Sequence, residues 1–336
     1  MAQLTSKRRL DRKDYHVAWI CPGPEVSLDP PRLLLDEEHD RPIYDASYDQ
    51  NTYICGTMAG HNVVLATTPP GMRGNVNAGR LVGPLFSTFP NIKMTLLVGI
   101  GGGVPSRTSA DNPLEDIHLG DVVVGWPGDG TDAVIYYESG RSLVDNHFEI
   151  IGKIDRPDWV LLQALGVLQS NHRFNQTSFD NHVHRLQADQ RFAHPGIEHD
   201  RLFRSGYKHQ GKKQDCVTCD DSERVQRKGR TEEHKEKLVF HAGRIGTGNS
   251  IILDGEKRDW INERCGGLQC IEMSAAGVDA TRNCLVIRGI SDYCDSHKNG
   301  VWKNYAAAMA AVFARELLGI IQPTSVKLME TTAGCQ

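Results

Sequence analysis

The chain has 336 residues, a net charge of −4 at pH 7, 39% hydrophobic residues and 24% charged ones. That balance suits an ordinary globular protein long enough for one large α/β domain or two modest ones. It offers no electrostatic case for broad nucleic-acid binding, and no apolar run approaches the roughly 20 residues that span a bilayer.

The opening stretch "MAQLTSKRRLDRKDYH" is basic but has no apolar h-region, so residues 1–13 read as a flexible arm rather than a signal peptide. "YHVAWIC" (15–21) then reads as a buried strand and "PPRLLLDEEHD" (30–40) as a helix behind a proline pair. "NVVLATT" (62–68) is a strand, "NVNAGRLVGPLFSTF" (75–89) a helix with an apolar period near 3.6, and "MTLLVGI" (94–100) and "DVVVGWP" (121–127) are strands. "WVLLQALGVLQSNH" (159–172) is a clear helix. Residues 173–237 are polar and poor in aliphatic runs, which suggests a surface insertion or lid. "VFHAGRI" (239–245) and "CLVIRGI" (284–290) are strands, and "NYAAAMAAVFARELLGII" (304–321) is the last long helix. The tail from 323 to 336 is expected to fray. Continuous β-branched runs are typical of strands covered on both faces. Their alternation with helices predicts an α/β domain over 14–322 with a mostly parallel central sheet.

Cysteines number nine, and Cys21, Cys270 and Cys284 sit in strand-like runs. That usage points to reduced, buried thiols and a cytoplasmic protein. "CVTC" at 216–219 differs. A lone CxxC is a weak metal signal even with His209 and His234 available to complete a set, and no metal is assigned on spacing alone.

Two acids end apolar approaches. Glu272 lies in "CIEMSAAG" and Asp292 in "GISDYCD". Ligand sites of open parallel sheets lie outside the carboxyl ends of strands, which favours a functional reading of Asp292; a turn or helix cap is its bland alternative. Glu272 could equally stabilise the first turn of the helix-like "MSAAGVDA" through the helix dipole. Ser274 reads either as a site residue or as a small residue that lets helices pack closely. Met72 and Met273 read as core and "SHKN" (296–299) as a solvated loop. "VGIGGGVPS" (98–106) carries four glycines in five positions. It is either a turn whose backbone N–H groups approach a ligand or simply a tight turn. It lacks the last glycine of a dinucleotide fingerprint.

Taken in order, "TGNSII", "IEMSAAG" and "VIRGISDYCDSHKN" resemble the nucleoside phosphorylase and nucleosidase superfamily. With "VGIGGGVPS", "DIHLGDVVV" and "WKNYAAA" they look most like the phosphorylase-like domains of filamentous fungi. Those domains often begin larger NTPase-containing chains, whereas here the domain is expected to stand alone. The likeness covers roughly 14–160 and 238–322. It implies a three-layer α/β/α fold, cleavage of the N-glycosidic bond of a nucleoside, no metal or organic cofactor, and association into a homo-oligomer. Carried over residue by residue, it places Glu272, Met273 and Ser274 at the sugar. Ser250, Ile251 and Ile252 go to the base pocket, Gly101 and Gly102 to the glycine-rich wall, and Ser291 and Asp292 to the leaving purine. An acid at the purine N7 neutralises charge as the bond breaks, an effect of about 10²–10⁴-fold. Such an acid is expected to be protonated in a desolvated site.

Two departures from the family pattern matter. Ser274 stands where the family has a second glutamate that holds the ribose hydroxyls, and one short hydroxyl replaces a two-oxygen acceptor. Leu97, Ile100 and Ser27 stand where phosphorylases place anion ligands, with Arg73 as a possible substitute. Nucleosidases use a first-loop glutamate to activate water, and Glu25 is the nearest match, one position out of register. The sequence therefore favours a purine nucleoside hydrolase acting on adenosine-like substrates. A phosphate-dependent phosphorylase and a non-catalytic nucleoside-sensing module are the alternatives.

Overall fold

The structure, a computed structural model, describes residues 7–106, 112–128, 131–144, 148–154, 157–211, 216–234, 237–278 and 284–329. The continuous apolar runs form β1 (Val17–Cys21), β4 (His61–Thr67), β5 (Met94–Gly103), β6 (Val122–Gly125) and β12 (Leu285–Asp292). Every residue of β1, β6 and β12 is buried, as expected for strands covered on both faces. β1 runs parallel to β4 and to β5, and β12 parallel to β5, so the centre of the sheet is parallel. The run at 239–245 divides at Arg244 into β9 (Phe240–Gly243) and β10 (Ile245–Thr247). β9 extends the sheet beside β6, whereas β10 lies between β7 (Val134–Ser142) and β11 (Cys270–Glu272). With β2 (Glu37–His39), β3 (Ile54–Met58) and β8 (Phe148–Ile154), the sheet has 12 strands among the described residues.

The helices expected at 75–89, 159–172 and 304–321 form α3 (Asn75–Thr88), α4 (Trp159–Arg173) and α8 (Lys303–Ile320). α8 is alanine-rich and buried along most of its length. It packs on β5, β6 and β12 and is backed by α4 and α5 (Phe179–Gln187). α3 packs on β4 and on the short α7 (Ala275–Val278). The result is the three-layer α/β/α arrangement that the resemblance implied. No described helix is long and apolar enough to cross a membrane.

Local readings differ in three places. The helix expected over 30–40 stops early: after α1 (Pro24–Ser27) and α2 (Asp29–Leu33) the chain turns into β2, antiparallel to β3. The turn is held by the Asp36 carboxylate, which accepts from the Ala59 N–H at 2.7 Å, and by Arg32 paired with Glu38 at 3.0 Å. The polar stretch at 173–237 is docked rather than loose. It contributes Phe179, Val183, Leu186, Phe192 and Leu202 to the main core, and its Arg227 pairs with Asp116 and Asp200, each at 3.1 Å. Both chain ends are also tied down where they are described. Lys7 pairs with Glu38, the Arg9 backbone forms an isolated parallel β-bridge with that of Asp40, and Pro323 opens α9 (Pro323–Leu328), whose Val326 is fully buried. Residues 1–6 and 330–336 lie outside the described residues.

Candidate active site

One edge of β5 is taken by β12, which pairs with it from Leu96 to Gly102. The other edge is shared. β1 pairs with it from Met94 to Leu97, and β11 meets it in the opposite direction at Gly102 and Gly103. The two strands therefore approach head-on, and both carboxyl ends point into the interval Val98–Gly101. Such a reversal in strand order leaves a crevice that strand-end residues can reach.

A cleft with about 870 Å³ of empty space, mouth included, opens there. Gly23, Glu25 and Ser27 reach it from the end of β1, and Glu272, Met273 and Ser274 from the end of β11. Ile100, Gly101 and Gly102 of β5, Ser250, Ile251 and Ile252 after β10, Ser291 of β12, and Arg73 before α3 complete this set. All of the sequence-predicted site residues except Asp292 thus line one cleft. Leu97 does not: it is fully buried in the core, away from the cleft that Ile100 and Ser27 line. Met273, expected in the core, stands on the cleft wall, and Met72 is 46% exposed.

The glycine-rich run is strand rather than turn. A Cβ on Gly101 would lie 2.4 Å from Cys270 Sγ, and one on Gly102 would lie 2.1 Å from Cys294 Sγ and 2.9 Å from an Asp292 oxygen. These glycines let β11 and the end of β12 close onto β5, which is a packing requirement.

Both acids are buried and both are answered by cations. Glu272 Oε2 accepts from the Ser274 N–H at 2.9 Å and lies 2.5 Å from Arg288 Nη2, while Oε1 accepts from the Ala275 N–H at 3.0 Å. The side chains of Glu272 and Arg288 are each 1% exposed. Glu272 ends β11 ahead of α7 rather than standing in its first turn; it caps the Ser274 and Ala275 N–H groups, and an ion pair is added to that. Asp292 lies just behind Ser291, which donates to its Oδ2 at 2.8 Å, and the Cys294 N–H donates to Oδ1 at 3.0 Å. Lys298 Nζ sits 2.5 Å from Oδ2. Burial works against the Lys298 charge, but the Asp292 carboxylate outweighs it and holds the ammonium above its ordinary value. The sequence reading missed this cation beside Asp292, and "SHKN" is no solvated loop: Lys298 faces the cleft and His297 is buried.

Glu25 is exposed at the mouth. Its own backbone N–H and that of Gly71, 3.0 Å from Oε1, hold its carboxyl below the usual range. It is ionised at neutral pH and a weaker base than an ordinary carboxylate. Sequence reasoning missed Arg288, Lys298 and Lys303, all of which line the cleft. The signal for Arg288 was a charge inside an otherwise apolar strand, which demands a buried partner. Among the described residues of the cleft no group of metal ligands converges.

A larger cavity, with about 1320 Å³ of empty space, lies between the docked polar segment and the sheet. Its buried charged groups are committed to one another. Arg227 and His118 hold Asp200, and Arg230 and His241 hold Asp121. Burial favours the neutral acids, but these partners keep both carboxyls below the usual range. This network fastens the segment to the fold, so the smaller cleft, where strand ends converge, is the candidate site.

No protein-family profile matches the chain. A nucleotide-binding leucine-rich repeat (NLR)-like protein of Hyaloscypha variabilis is 36% identical over 318 residues, which are 94% of this chain and 30% of that protein. The chain thus spans less than a third of this relative's length. Among solved structures, the 5′-methylthioadenosine/S-adenosylhomocysteine nucleosidase of Neisseria meningitidis, in complex with methylthio-immucillin-A, matches with a TM-score of 0.55 at 15% identity, over 91% of this chain and 99% of that one. The corresponding enzyme of S. pneumoniae, with a transition-state inhibitor, gives 0.53 at 17% over 90% and 98%. Futalosine hydrolase of Helicobacter pylori gives 0.54 at 13% over 90% and 97%.

Proposed function

We infer that this chain, which has the fold of the nucleoside phosphorylases and nucleosidases, hydrolyses the N-glycosidic bond of adenosine-like purine nucleosides. The observation that carries this reading is the head-on meeting of β1 and β11 along β5. It gathers an ionised carboxylate, polar side chains and apolar side chains around one crevice, which supports a water site, a sugar wall and a base wall. Ile251 and Ile252 offer apolar surface for a flat base, and Glu272, Met273 and Ser274 form the wall for a sugar.

The bond breaks through an oxocarbenium-like state, with its electrons flowing into the purine. Asp292 and Lys298 answer that charge as a unit: Lys298 presents its ammonium at the cleft and donates its proton to the base nitrogen, and the Asp292 carboxylate behind it holds the ammonium in place. Glu25 orients the water that attacks C1′. A weak base suffices there, because the developing cation is strongly electrophilic and the water gives up its proton late. The described cysteines are all buried, in keeping with a reducing, cytoplasmic setting, and homo-oligomer formation belongs to the same reading.

Incubation with a nucleoside panel, with and without phosphate, tests the proposal. Free base and free sugar at equal rates in both conditions are expected. Stoichiometric ribose 1-phosphate would move the function to phosphorolysis, with Arg73 and Lys303 as anion ligands. A second reading is a nucleoside-sensing module. It is favoured by the NLR-like description of the relative and by the full engagement of Glu272 within the protein. Calorimetric binding of a nucleoside without turnover would establish it.

A further inference from the structure

His209, Cys216 and Cys219 stand outside the candidate active site, in the docked polar segment. His209 Nδ1 lies 3.3 Å from Cys219 Sγ and 3.7 Å from Cys216 Sγ, and the three donor atoms lie within 4.8 Å of one another. One thiol–imidazole hydrogen bond, from Cys219, needs only one sulfur at His209 Nδ1, and Cys216 can donate to the His297 carbonyl instead. A ring nitrogen either donates one hydrogen bond or accepts one, and two sulfurs converge on the same nitrogen. Around a zinc ion with Zn–S near 2.3 Å and Zn–N near 2.0–2.1 Å, tetrahedral edges are about 3.5–3.8 Å, close to the separations found. Both cysteines are free and buried.

A second observation points to the same place. His297 is 6% exposed, neither of its ring nitrogens has a hydrogen-bond partner among the described residues, and Asp295 Oδ2 stands 3.7 Å from its Nδ1. Its ring lies 5.6 Å from that of His209, and its carbonyl oxygen lies 3.9 Å from Cys216 Sγ. Buried polar nitrogens without partners are costly unless something binds them.

We propose that His209, Cys216 and Cys219 form a structural zinc site whose fourth position is taken by His297. Two thiolates and two imidazoles suit a borderline-soft ion such as Zn²⁺ rather than Mg²⁺ or Ca²⁺, which prefer oxygen ligands. Ligation releases the two thiol protons to solvent. A closed set of four protein ligands leaves no position for substrate, so the role is structural. The site ties the docked segment to the turn that carries Lys298, where the His209 N–H already donates to Ser296 Oγ at 2.9 Å. His234, the other histidine that the sequence offered, is turned away and bonds Thr231 instead.

The test uses the full chain expressed with zinc in the medium. Elemental analysis is expected to find one zinc per chain. After chelation, titration with Co²⁺ is expected to give thiolate charge-transfer absorption and the strong visible bands of tetrahedral cobalt. Cys216→Ser and Cys219→Ser should each lose the metal, and His234→Ala should keep it. Wild-type protein that holds no stoichiometric zinc and shows no cobalt–thiolate spectrum overturns the site, whatever the variants do. Full zinc affinity in His297→Gln overturns the assignment of the fourth ligand.

Discussion

If Asp292 and Lys298 act as one unit, removing either should cost about as much as removing both. Asp292→Asn keeps the shape but loses the charge that fixes Lys298. Lys298→Met removes the cation and leaves a carboxylate that is 4% exposed with only the Ser291 hydroxyl and the Cys294 N–H in attendance. Loss of leaving-group assistance is expected to lower kcat about 10²–10⁴-fold in each single variant, and the double variant should lie within the same range. Stability should separate the three. Breaking a buried pair from one side costs about 3–5 kcal/mol, and the 27% exposure of the Lys298 side chain places Lys298→Met toward the lower figure. The double variant buries no uncompensated charge and should recover part of that loss. Urea denaturation and single-turnover kinetics on adenosine give both cycles. Losses in kcat that multiply, or an Asp292→Asn protein that is folded and nearly as active as wild type, would refute the paired mechanism. The pH dependence has a definite sign. The folded pKa of Lys298 is raised, so the pair contributes stability that is fully present below the ordinary lysine value of 10.5 and is lost as pH rises through the higher folded value. Wild type should therefore lose its advantage over Lys298→Met only in strongly alkaline buffer.

Other expectations follow from the same geometry. Glu272→Gln should destabilise the fold by about 3–5 kcal/mol in chemical denaturation, because it leaves Arg288 charged and buried; a cost under about 1 kcal/mol would mean the pair is not maintained in solution. Ser274→Glu should lower KM for adenosine about tenfold, equivalent to about 1.4 kcal/mol, if the natural sugar is ribose. Equal effects on adenosine, 2′-deoxyadenosine and 3′-deoxyadenosine would remove Ser274 from the sugar wall. Gly102→Ala should destabilise the fold and reduce activity together, since its Cβ would collide with Cys294 Sγ and the Asp292 carboxylate; an active, fully stable variant would disprove that close approach. Burial lowers the pKa of His61, whose Nε2 faces the Leu318 and Ile321 carbonyls. The folded chain then binds fewer protons than the unfolded one, so stability should fall as pH drops through about 6.5. Melting curves between pH 8 and pH 5 should be flatter for His61→Gln, and parallel curves would exclude the effect.

The parts of the fold that could be read in advance are those that a strand or helix announces by itself. β1, β5 and β12 are continuous apolar runs because both faces are covered, and α8 is an alanine-rich helix because it lies close against the sheet. β8 alternates between half-buried and exposed positions, and β7 begins apolar but ends in exposed polar residues, so this hairpin has no continuous signal. The misread helix at 30–40 has the same origin. "LLLDEE" suits one face of a helix, yet Leu34 and Leu35 are buried while Leu33 is 42% exposed, and the chain needs an early turn to place β2 against β3. The docked polar segment looked superficial because its anchors are arginines. Arg227 reaches back across 111 positions to Asp116, and Arg230 across 109 to Asp121, pairings that no local pattern records.

In the site, strand-end acids were legible and their partners were not, and that difference shifts the chemical question. A carboxylate's position can be read from the strand before it, but its charge state depends on what the fold brings opposite. Here Arg288 answers Glu272 and Lys298 answers Asp292, so the interior of the cleft is close to neutral. The charges that remain belong to Glu25, Arg73 and Lys303. A phosphate dianion would gain from Arg73 and Lys303 but would have to approach a carboxylate that backbone N–H groups keep ionised. Water carries no such penalty, and it can donate an orienting hydrogen bond to the Glu25 carboxylate while presenting its lone pair to C1′. The choice of nucleophile is thus set at the mouth of the cleft. Glu25→Gln should slow hydrolysis and ease phosphate entry at once. If phosphate leaves the rate and products of Glu25→Gln unchanged, Glu25 is not what excludes it.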